Sequence, residues 1–430
     1  MRYHLIDILR GTRIISYYKQ FCSMPYTADE LKNLQCRKLA AFLILLRHEN
    51  PFYSQFLQNI DESQIRLFPE NVLRLLPLAD KRFINKNIDK LFSPKPGRKY
   101  QSKHTGGSTG EPFHYYIDLT AVSESWAYIL WCWHKYVGYK PGEPYMTVAG
   151  ASLSAQGQKL KVKIYQLLQN SYFINADVIS TDIQVKKKAV VKSRLLFGYP
   201  NAILSLLEMK PSLFDGHRLR AVFCTSEQLT LNVRRSLEEV LKVPVYDLYG
   251  ANDGGLISCE CKIHCGFHYD PLNCYVEEYI NEDGESELLL TGLNSLTLPF
   301  VRYRVGDVAT LGEFGSCPCG NPFPMIRNLK GRSRDLIRLH NGQAVHGVLF
   351  NKIFYPFQEV QRYRIIQTDD YRVSVQLEIK EFQAWYASER RNDLEHQLSD
   401  LLKDTTFFIE ELQPGSWKKG KFRLIESDVC

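Results

Sequence analysis

The chain has 430 residues, of which 44% are hydrophobic and 23% charged, and it carries a net charge of +7. This length exceeds what one hydrophobic core usually holds, so we expect two domains or one large domain with a cap. No arginine-rich arm or aromatic–basic module accompanies the positive charge, which argues against nucleic acid as a partner.

The first 75 residues are predicted to form mainly helices, because apolar residues recur there at helical spacing. Leu39, Phe42, Leu43 and Leu46 illustrate the pattern. Their apolar stretch is much shorter than the about 20 residues that a membrane span needs. No apolar run typical of a signal peptide follows the N-terminus. We therefore expect a helical layer, no membrane span and a cytoplasmic location.

From about residue 100, short β-rich runs alternate with helical segments. Residues 145–148 and 221–224 are predicted strands, residues 232–241 a helix, and residues 243–246 the strand after it. Alternation of this kind predicts an α/β sheet with helices on its faces.

The β-rich stretch at residues 274–310 is predicted to be a meander, with turns at Asp283-Gly284 and at Gly292. After Gly331 the pattern becomes that of a smaller α+β unit. The predicted elements of this unit are two strands and a helix, at residues 360–368, 371–378 and 389–403.

The strongest local signal is a glycine- and hydroxyl-rich segment. Glycines let backbone N–H groups turn toward an anion, and the hydroxyl groups add donors. The spacing is that of neither a Walker A loop nor a dinucleotide fingerprint, and in isolation such a segment is more often an ordinary loop. The segment reads Thr105-Gly106-Gly107-Ser108-Thr109-Gly110-Glu111-Pro112.

This segment resembles the phosphate loop of adenylate-forming enzymes. Its form without a lysine after the proline is typical of the phenylacetate–CoA ligase and CapK branch. Each further match is short, but their joint order over most of the chain is specific. The matching segments, in chain order, are Thr225-Ser226-Glu227, Tyr249-Gly250-Ala251-Asn252-Asp253, Arg302-Tyr303-Arg304-Val305-Gly306-Asp307, Gly331-Arg332-Ser333-Arg334-Asp335 and Gly420-Lys421-Phe422-Arg423.

The resemblance implies an α/β fold with a large N-terminal adenylation domain, residues 1–333, and a small mobile C-terminal α+β domain, residues 334–430. Asp335 would mark the hinge between them. The implied enzyme is an ATP-dependent, AMP-forming ligase that activates a small-molecule carboxylic acid. The acceptor of the acyl group would be CoA or an amine. Alternatively, the enzyme would only adenylylate its substrate.

The resemblance also implies roles for individual residues. Asp253 would hold Mg²⁺, which prefers carboxylate oxygens, and Asp307 would accept hydrogen bonds from the ribose hydroxyls. Lys421 would neutralise charge on the α-phosphate. The implied catalytic residues are Lys421, Asp253 and Glu227. The implied nucleotide-binding residues are Thr105, Gly106, Gly107, Ser108, Thr109, Gly110, Tyr249, Gly250, Asn252, Asp307 and Arg332.

Two positions depart from the family pattern. Asn252-Asp253 stands where the family usually has Thr-Glu, so the shorter aspartate side chain requires a different metal geometry. Ser226 precedes Glu227, where many relatives have glycine, which bears on the acyl pocket. The altered pair also supports a rival interpretation, a non-catalytic scaffold stabilised by zinc that keeps a relic nucleotide site.

Six of the 11 cysteines fall between Cys259 and Cys319, and in a reducing compartment such clustering favours metal over disulfides. Zinc takes four ligands in a tetrahedron, often as two sequence-close pairs. CapK-like relatives carry a cysteine about seven residues before a histidine, and a later Cys-Pro-Cys-Gly. The implied ligands of a structural zinc, within loops 259–320, are Cys261, His268, Cys317 and Cys319, with Cys259 and Cys265 as substitutes.

The expected cofactors are therefore ATP, Mg²⁺ and structural Zn²⁺, with CoA as one of the acceptors. The sequence leaves open which carboxylate is activated, which acceptor is used, and the oligomeric state, a dimer included. The clustered cysteines could alternatively be free, buried thiols that bind no zinc.

Overall fold

The structure is a computed structural model of the chain. It describes residues 2–24, 26–105, 113–149, 159–175, 187–251, 253–282, 284–332, 336–413 and 422–429. Within these ranges, the side chains at positions 104, 105, 159–162, 187, 188, 332 and 348 are outside the description.

The N-terminal segment is helical, and local capping explains where its helices begin. Thr27 and Glu30 form a reciprocal capping box, in which each side chain accepts the other's backbone N–H. Asn50 accepts the N–H groups of Phe52 and Tyr53 ahead of the next helix. The helices are α1 (Arg2–Arg10), α2 (Ile14–Ser23), α3 (Ala28–Glu49), α4 (Pro51–Leu57), α5 (Glu62–Leu67), α6 (Pro69–Arg74), α7 (Lys81–Lys86) and α8 (Ile88–Leu91).

The middle of the chain alternates strands and helices, as predicted. Its elements are β1 (Tyr100–Thr105), β2 (Phe113–Asp118), α9 (Leu119–Val137), β3 (Tyr145–Ala149), α10 (Lys159–Gln169), β4 (Ser171–Asn175), α11 (Lys187–Lys192), β5 (Leu195–Gly198), α12 (Pro200–Met209), β6 (Ala221–Thr225), α13 (Leu231–Leu241) and β7 (Val245–Ala251). The strand predicted at residues 243–246 starts two residues later. Lys242 is left-handed with φ 53°, and Pro244 has no N–H to donate to a sheet.

The remaining strands and helices run to the end of the described chain. They are β8 (Leu256–Glu260), β9 (Phe267–Tyr269), β10 (Cys274–Ile280), β11 (Ser286–Gly292), β12 (Tyr303–Gly312), β13 (Met325–Arg332), β14 (Leu336–Arg338), β15 (Ala344–His346), α14 (Gly347–Phe354), β16 (Arg362–Gln367), β17 (Val373–Glu378), α15 (Phe382–Tyr386), α16 (Glu389–Leu402), β18 (Phe407–Glu411) and β19 (Ile425–Ser427). The predicted meander is present as antiparallel β10, β11 and β12.

The chain forms two compact units. The first comprises Met1–Glu143, Gly157–Asn170 and Leu248–Leu329. In it, β10, β11, β12, β13, β9 and β8 are sheet neighbours in that order, and β8 pairs with the end of β7. The N-terminal helices pack their apolar faces against the β1–β2 hairpin and against Phe300 and Tyr303.

The second unit comprises Pro144–Gln156, Ser171–Asp247 and Lys330–Cys430. Its parallel strands lie in the order β6, β5, β3, β4. Strands β3, β5 and β6 are mostly buried, as parallel strands covered on both faces usually are, whereas the edge strand β4 is mostly half-buried. A smaller four-stranded sheet in the order β18, β17, β16, β19 completes the unit and packs around its own core with α14, α15 and α16.

This architecture confirms the predicted α/β class. The predicted division into residues 1–333 and 334–430 stays a prediction, since residues 333–335 lie outside the description. Among the helices of the described ranges, none combines the length and apolar character required to cross a bilayer.

Candidate functional site

Two predicted segments are joined by a hydrogen bond between Tyr249, on β7, and Asp307, on β12. The Tyr249 hydroxyl donates to Asp307 Oδ2 over 2.6 Å. Gly306 precedes Asp307 with φ 82°, a left-handed conformation that disfavours side chains, and it lies where the register between β12 and β11 is irregular. Gly250 lies next to Tyr249, and an added Cβ would stand 3.2 Å from the Leu256 carbonyl oxygen. The sheet thus brings together Tyr249 and Asp307.

A second bond joins the same two segments through Asp253, in the turn between β7 and β8. The Tyr303 hydroxyl, fully buried on β12, donates to Asp253 Oδ2 over 3.0 Å. Gly254 follows, and a Cβ there would lie 2.5 Å from Leu290 Cδ1, so packing requires glycine. Burial, and then the negative charge of Asp253, raise the pKa of the nearby Tyr115 hydroxyl. The Asp253 carboxylate is therefore held in a nearly buried position.

Behind Asp253 lies a polar network that the sequence did not reveal. Asn273 Nδ2 donates to the Gly255 carbonyl over 2.8 Å, and Asn294 Nδ2 donates to Asn273 Oδ1 over 2.9 Å. Asn294 also donates to the buried Glu124 carboxyl group. Asp253, Gly255, Asn273 and Asn294 line a cavity of about 10 Å³, the size of one water molecule. The network fixes the backbone beside Asp253.

Glu124 lies in a buried pair of carboxyl groups. Burial raises the pKa of Glu124 to about 8, and the neighbouring Asp270 adds to the rise. Lys38 opposes it, with Nζ 3.5 Å from each Glu124 oxygen. Burial likewise raises the pKa of Asp270 to about 6, again against Lys38. No local motif marks this pair, because its members are distant in sequence.

Glu227 follows β6 and is bonded to the C-terminal segment. Ser226 adopts φ 71°, a left-handed conformation at the position where many relatives have glycine. The Glu227 carboxylate accepts the Phe422 N–H over 2.7 Å and an Asn201 Nδ2–H over 3.1 Å. Phe422 is next to Lys421 in the sequence. Glu227, predicted to act beside the acyl site, thus binds the backbone of the segment that contains the predicted catalytic lysine.

Arg362, on β16, is a buried cation of the same unit that the sequence analysis missed. Its guanidinium lies 2.6 Å from Glu378 Oε2 and 2.9 Å from Glu208 Oε2, and it donates to Ser205 Oγ over 3.0 Å. Two carboxylates and a hydroxyl compensate the burial of one charge. The predicted strand at residues 360–368 contains two arginines, Arg362 and Arg364, and nothing in the sequence shows which of them is buried.

Several predicted site residues cannot be compared with the structure. Thr105 ends β1 and Arg332 ends β13, but their side chains are not described. The others lie wholly outside the described residues: Gly106, Gly107, Ser108, Thr109, Gly110, Asn252 and Lys421. Their roles stay predictions.

The four predicted zinc ligands come together. One ligand atom from each of Cys261, His268, Cys317 and Cys319 lies within 4.8 Å of all the others. Cys261 Sγ and Cys317 Sγ are 3.8 Å apart, which matches the about 3.8 Å edge of a tetrahedron with Zn–S bonds of about 2.3 Å. Cys265 is also near, with Sγ 3.4 Å from Cys317 Sγ, so it remains a substitute ligand.

The surroundings of the cluster suit a metal. His268 Nδ1 lies 3.0 Å from the Phe323 carbonyl, which leaves Nε2, 3.4 Å from Cys319 Sγ, as the ligand nitrogen. Burial opposes ionisation of Cys261, but hydrogen bonds from His268 and the Ile263 backbone outweigh it and lower the pKa of the thiol. The residues present therefore fit a closed Cys₃His set.

Comparison with known proteins gives relatives of one kind. No protein-family model matches the chain. Protein CapK of Staphylococcus aureus is 24% identical over 386 residues, covering 86% of this chain and 84% of that protein. The phenylacetate-coenzyme A ligase of Pseudomonas putida is 27% identical over 215 residues, covering 46% of this chain and 48% of that protein.

Solved structures share the fold. A crystal structure of 2-hydroxyisobutyryl-CoA ligase, in the postadenylation state with 2-HIB-AMP, superposes with a TM-score of 0.71 at 15% identity. The match covers 92% of this chain and 89% of that one. Sequence and fold comparisons agree: the chain is similar to CapK and to phenylacetate-coenzyme A ligase, and it shares the fold of 2-hydroxyisobutyryl-CoA ligase.

Proposed function

We propose that the protein is an ATP-dependent ligase that activates a carboxylic acid as an acyl-adenylate and passes the acyl group to CoA or another acceptor. The observation that carries this proposal is the pair of bonds between two motif segments, from Tyr249 to Asp307 and from Tyr303 to Asp253. They join two segments that are distant in sequence and fix the orientation of one carboxylate in each, as binding of a nucleotide and its metal requires.

In the first half-reaction, a carboxylate oxygen of the substrate attacks the α-phosphorus of ATP, and the bond to pyrophosphate breaks. Asp307 would accept hydrogen bonds from the ribose hydroxyls, with Tyr249 fixing its orientation. Lys421 and the 105–110 loop would compensate negative charge on the phosphates. In the second half-reaction, a thiol or amine attacks the acyl carbon and AMP leaves.

Two metal ions would assist. Asp253 is suited to Mg²⁺, since a carboxylate held by Tyr303 offers the oxygen ligands that this ion prefers. Zinc would be held by Cys261, His268, Cys317 and Cys319. A closed four-ligand site leaves no position for a reactive water, so zinc would supply a structural cross-link between the β8–β9 and β12–β13 connections.

A narrower proposal concerns the biological setting. The likeness to CapK covers most of both chains, which supports a related role in surface polysaccharide biosynthesis, with decoration of a saccharide amine as the second step. Because the reaction consumes ATP, we propose that it takes place in the cytoplasm.

The test is pyrophosphate release from ATP and Mg²⁺ across a panel of aryl, fatty, amino and uronic acids, with and without CoA. We expect release that depends on one acid class and disappears in Asp307→Ala. Further dependence on CoA supports a thioester product. Release without transfer to any acceptor would indicate an adenylyltransferase. No release, with no stabilisation of the fold by ATP, would leave the zinc-stabilised scaffold.

A further inference from the structure

A second surface of the molecule, formed by α1 and α10 in the first unit, has no role in the proposed reaction. The two helices contact each other, and the Arg10 guanidinium lies 4.0 Å from the centroid of the Tyr165 ring. We name the outward sides of these helices the α1–α10 face.

The α1–α10 face is apolar where it meets solvent. On α1, Leu5, Ile8 and Leu9 are exposed at the i, i+3, i+4 spacing of one helical stripe, whereas Tyr3 and Ile6 on the other side are buried. On α10, Ile164 and Leu167 are exposed. Ile8 and Leu167 each have 76% of their surface in solvent.

The charge of the chain concentrates in the same region. The segment Arg2–Ser23 and helix α10 contain seven basic residues and one acidic residue, a net charge of +6 where the whole chain has +7. The acidic residue, Asp7, is engaged internally. It accepts the N–H groups of Ile14 and Ile15 at the start of α2, at 2.9 and 3.0 Å. The basic residues are Arg2, Arg10, Arg13, Lys19, Lys159, Lys161 and Lys163.

We propose that the α1–α10 face docks on an anionic lipid bilayer, with Leu5, Ile8, Leu9, Ile164 and Leu167 inserted at the headgroup boundary and the exposed Arg2 and Lys163 of the same helices against lipid phosphates. Short helices that combine exposed leucine and isoleucine with lysine and arginine bind such interfaces. A second copy of the chain fits less well, because two faces of the same positive charge repel each other. Nucleic acid offers no apolar surface for the exposed leucines.

The test is sedimentation of the full chain with vesicles of phosphatidylglycerol and phosphatidylcholine, compared with phosphatidylcholine alone. We expect binding to the anionic vesicles that weakens as salt is raised. Lys163→Ala should lower the partition coefficient about fivefold, the effect of one basic side chain near such a surface. Ile8→Glu combined with Leu167→Glu should reduce binding to the level seen with neutral vesicles.

The matched control is Leu67→Glu combined with Leu75→Glu, which places the same two charges on apolar side chains that are 71% and 65% exposed outside α1 and α10. It should bind like the unmodified chain. All these positions are exposed, so the thermal midpoint should not change, and pyrophosphate release in solution should also be unaffected. Equal sedimentation with neutral and anionic vesicles, or none with either, would overturn the proposal. So would concentration-dependent dimerisation that the double substitution abolishes without any vesicle binding.

Discussion

The cysteine–histidine cluster and the proposed nucleotide region lie in the same compact unit, but they are assembled differently. The cluster draws its candidate ligands from the β8–β9 hairpin and from the loop between β12 and β13, and all four ligand atoms converge. The proposed nucleotide region draws Tyr249 and Asp307 from β7 and β12 and Asp253 from a turn, and each carboxylate accepts a hydrogen bond from a tyrosine hydroxyl. The candidate metal ligands were thus predicted from short segments of sequence, whereas the contacts of the proposed nucleotide region depend on how distant strands come together.

The largest expected effect separates the two regions by their contribution to stability. Cys317→Ser should abolish zinc binding and lower the free energy of unfolding by several kcal/mol, because structural zinc supplies folding free energy on the order of 10 kcal/mol in small domains. Zinc content by mass spectrometry and thermal unfolding measure this. Cys22→Ser, at an exposed cysteine, is the control. The Cys265→Ser variant should retain zinc. If this variant loses zinc, Cys265 is one of the ligands.

Asp253→Asn should affect activity while leaving zinc and folding intact. We expect pyrophosphate release to fall about 100-fold, with a higher Mg²⁺ requirement, because the amide removes the negative charge that attracts the ion. Tyr303→Phe removes only the hydroxyl that donates to Asp253 and should cost about fivefold. Titration of the rate with Mg²⁺ measures both. An unchanged Mg²⁺ dependence in Asp253→Asn would remove Asp253 from the metal site.

The buried Glu124 should make stability depend on pH. Its pKa is raised to about 8 in the folded protein, so the native state binds more protons than the unfolded state between about pH 4.5 and 8. Stability is therefore highest below this window and falls as pH rises through it, by several kcal/mol in total. In Glu124→Gln, the free energy of unfolding should decrease less between pH 5 and pH 8. Urea unfolding at the two pH values measures this difference. If the free energy of unfolding changes equally with pH in the unmodified chain and in Glu124→Gln, then Glu124 is ionised in the folded protein throughout this range.

A more modest effect than that of Asp253→Asn is expected at the contact between Glu227 and the C-terminal segment. Glu227→Ala removes the acceptor of the Phe422 N–H, so the amide of Phe422 should exchange about tenfold faster, and pyrophosphate release should fall about tenfold. Glu227→Gln keeps an acceptor oxygen, so its amide exchange rate at Phe422 and its pyrophosphate release should lie between those of Glu227→Ala and of the unmodified chain. Glu239→Ala, on the exposed side of α13, is the control. A loss of activity with unchanged exchange at Phe422 would instead support a direct role in the acyl pocket.

The sequence alone determined the local elements, and with the family resemblance it predicted the four cysteine and histidine residues that the fold brings together. Residues 145–148, 221–224 and 232–241 fall on β3, β6 and α13, because periodicity and capping act within a few residues. The cluster could also be predicted from sequence, because cysteines and histidines that lie close together usually indicate a metal site. The phosphate-loop residues and Lys421 were assigned by resemblance and stay predictions.

Only the tertiary structure decided the contacts between distant segments. The bond from Tyr249 to Asp307 spans 58 positions and that from Phe422 to Glu227 spans 195. No local pattern indicates that Asp270 lies beside Glu124, or that two glutamates surround Arg362. Such partners are selected by sheet order and by the need to compensate charges once they are buried, and both conditions exist only in the folded chain.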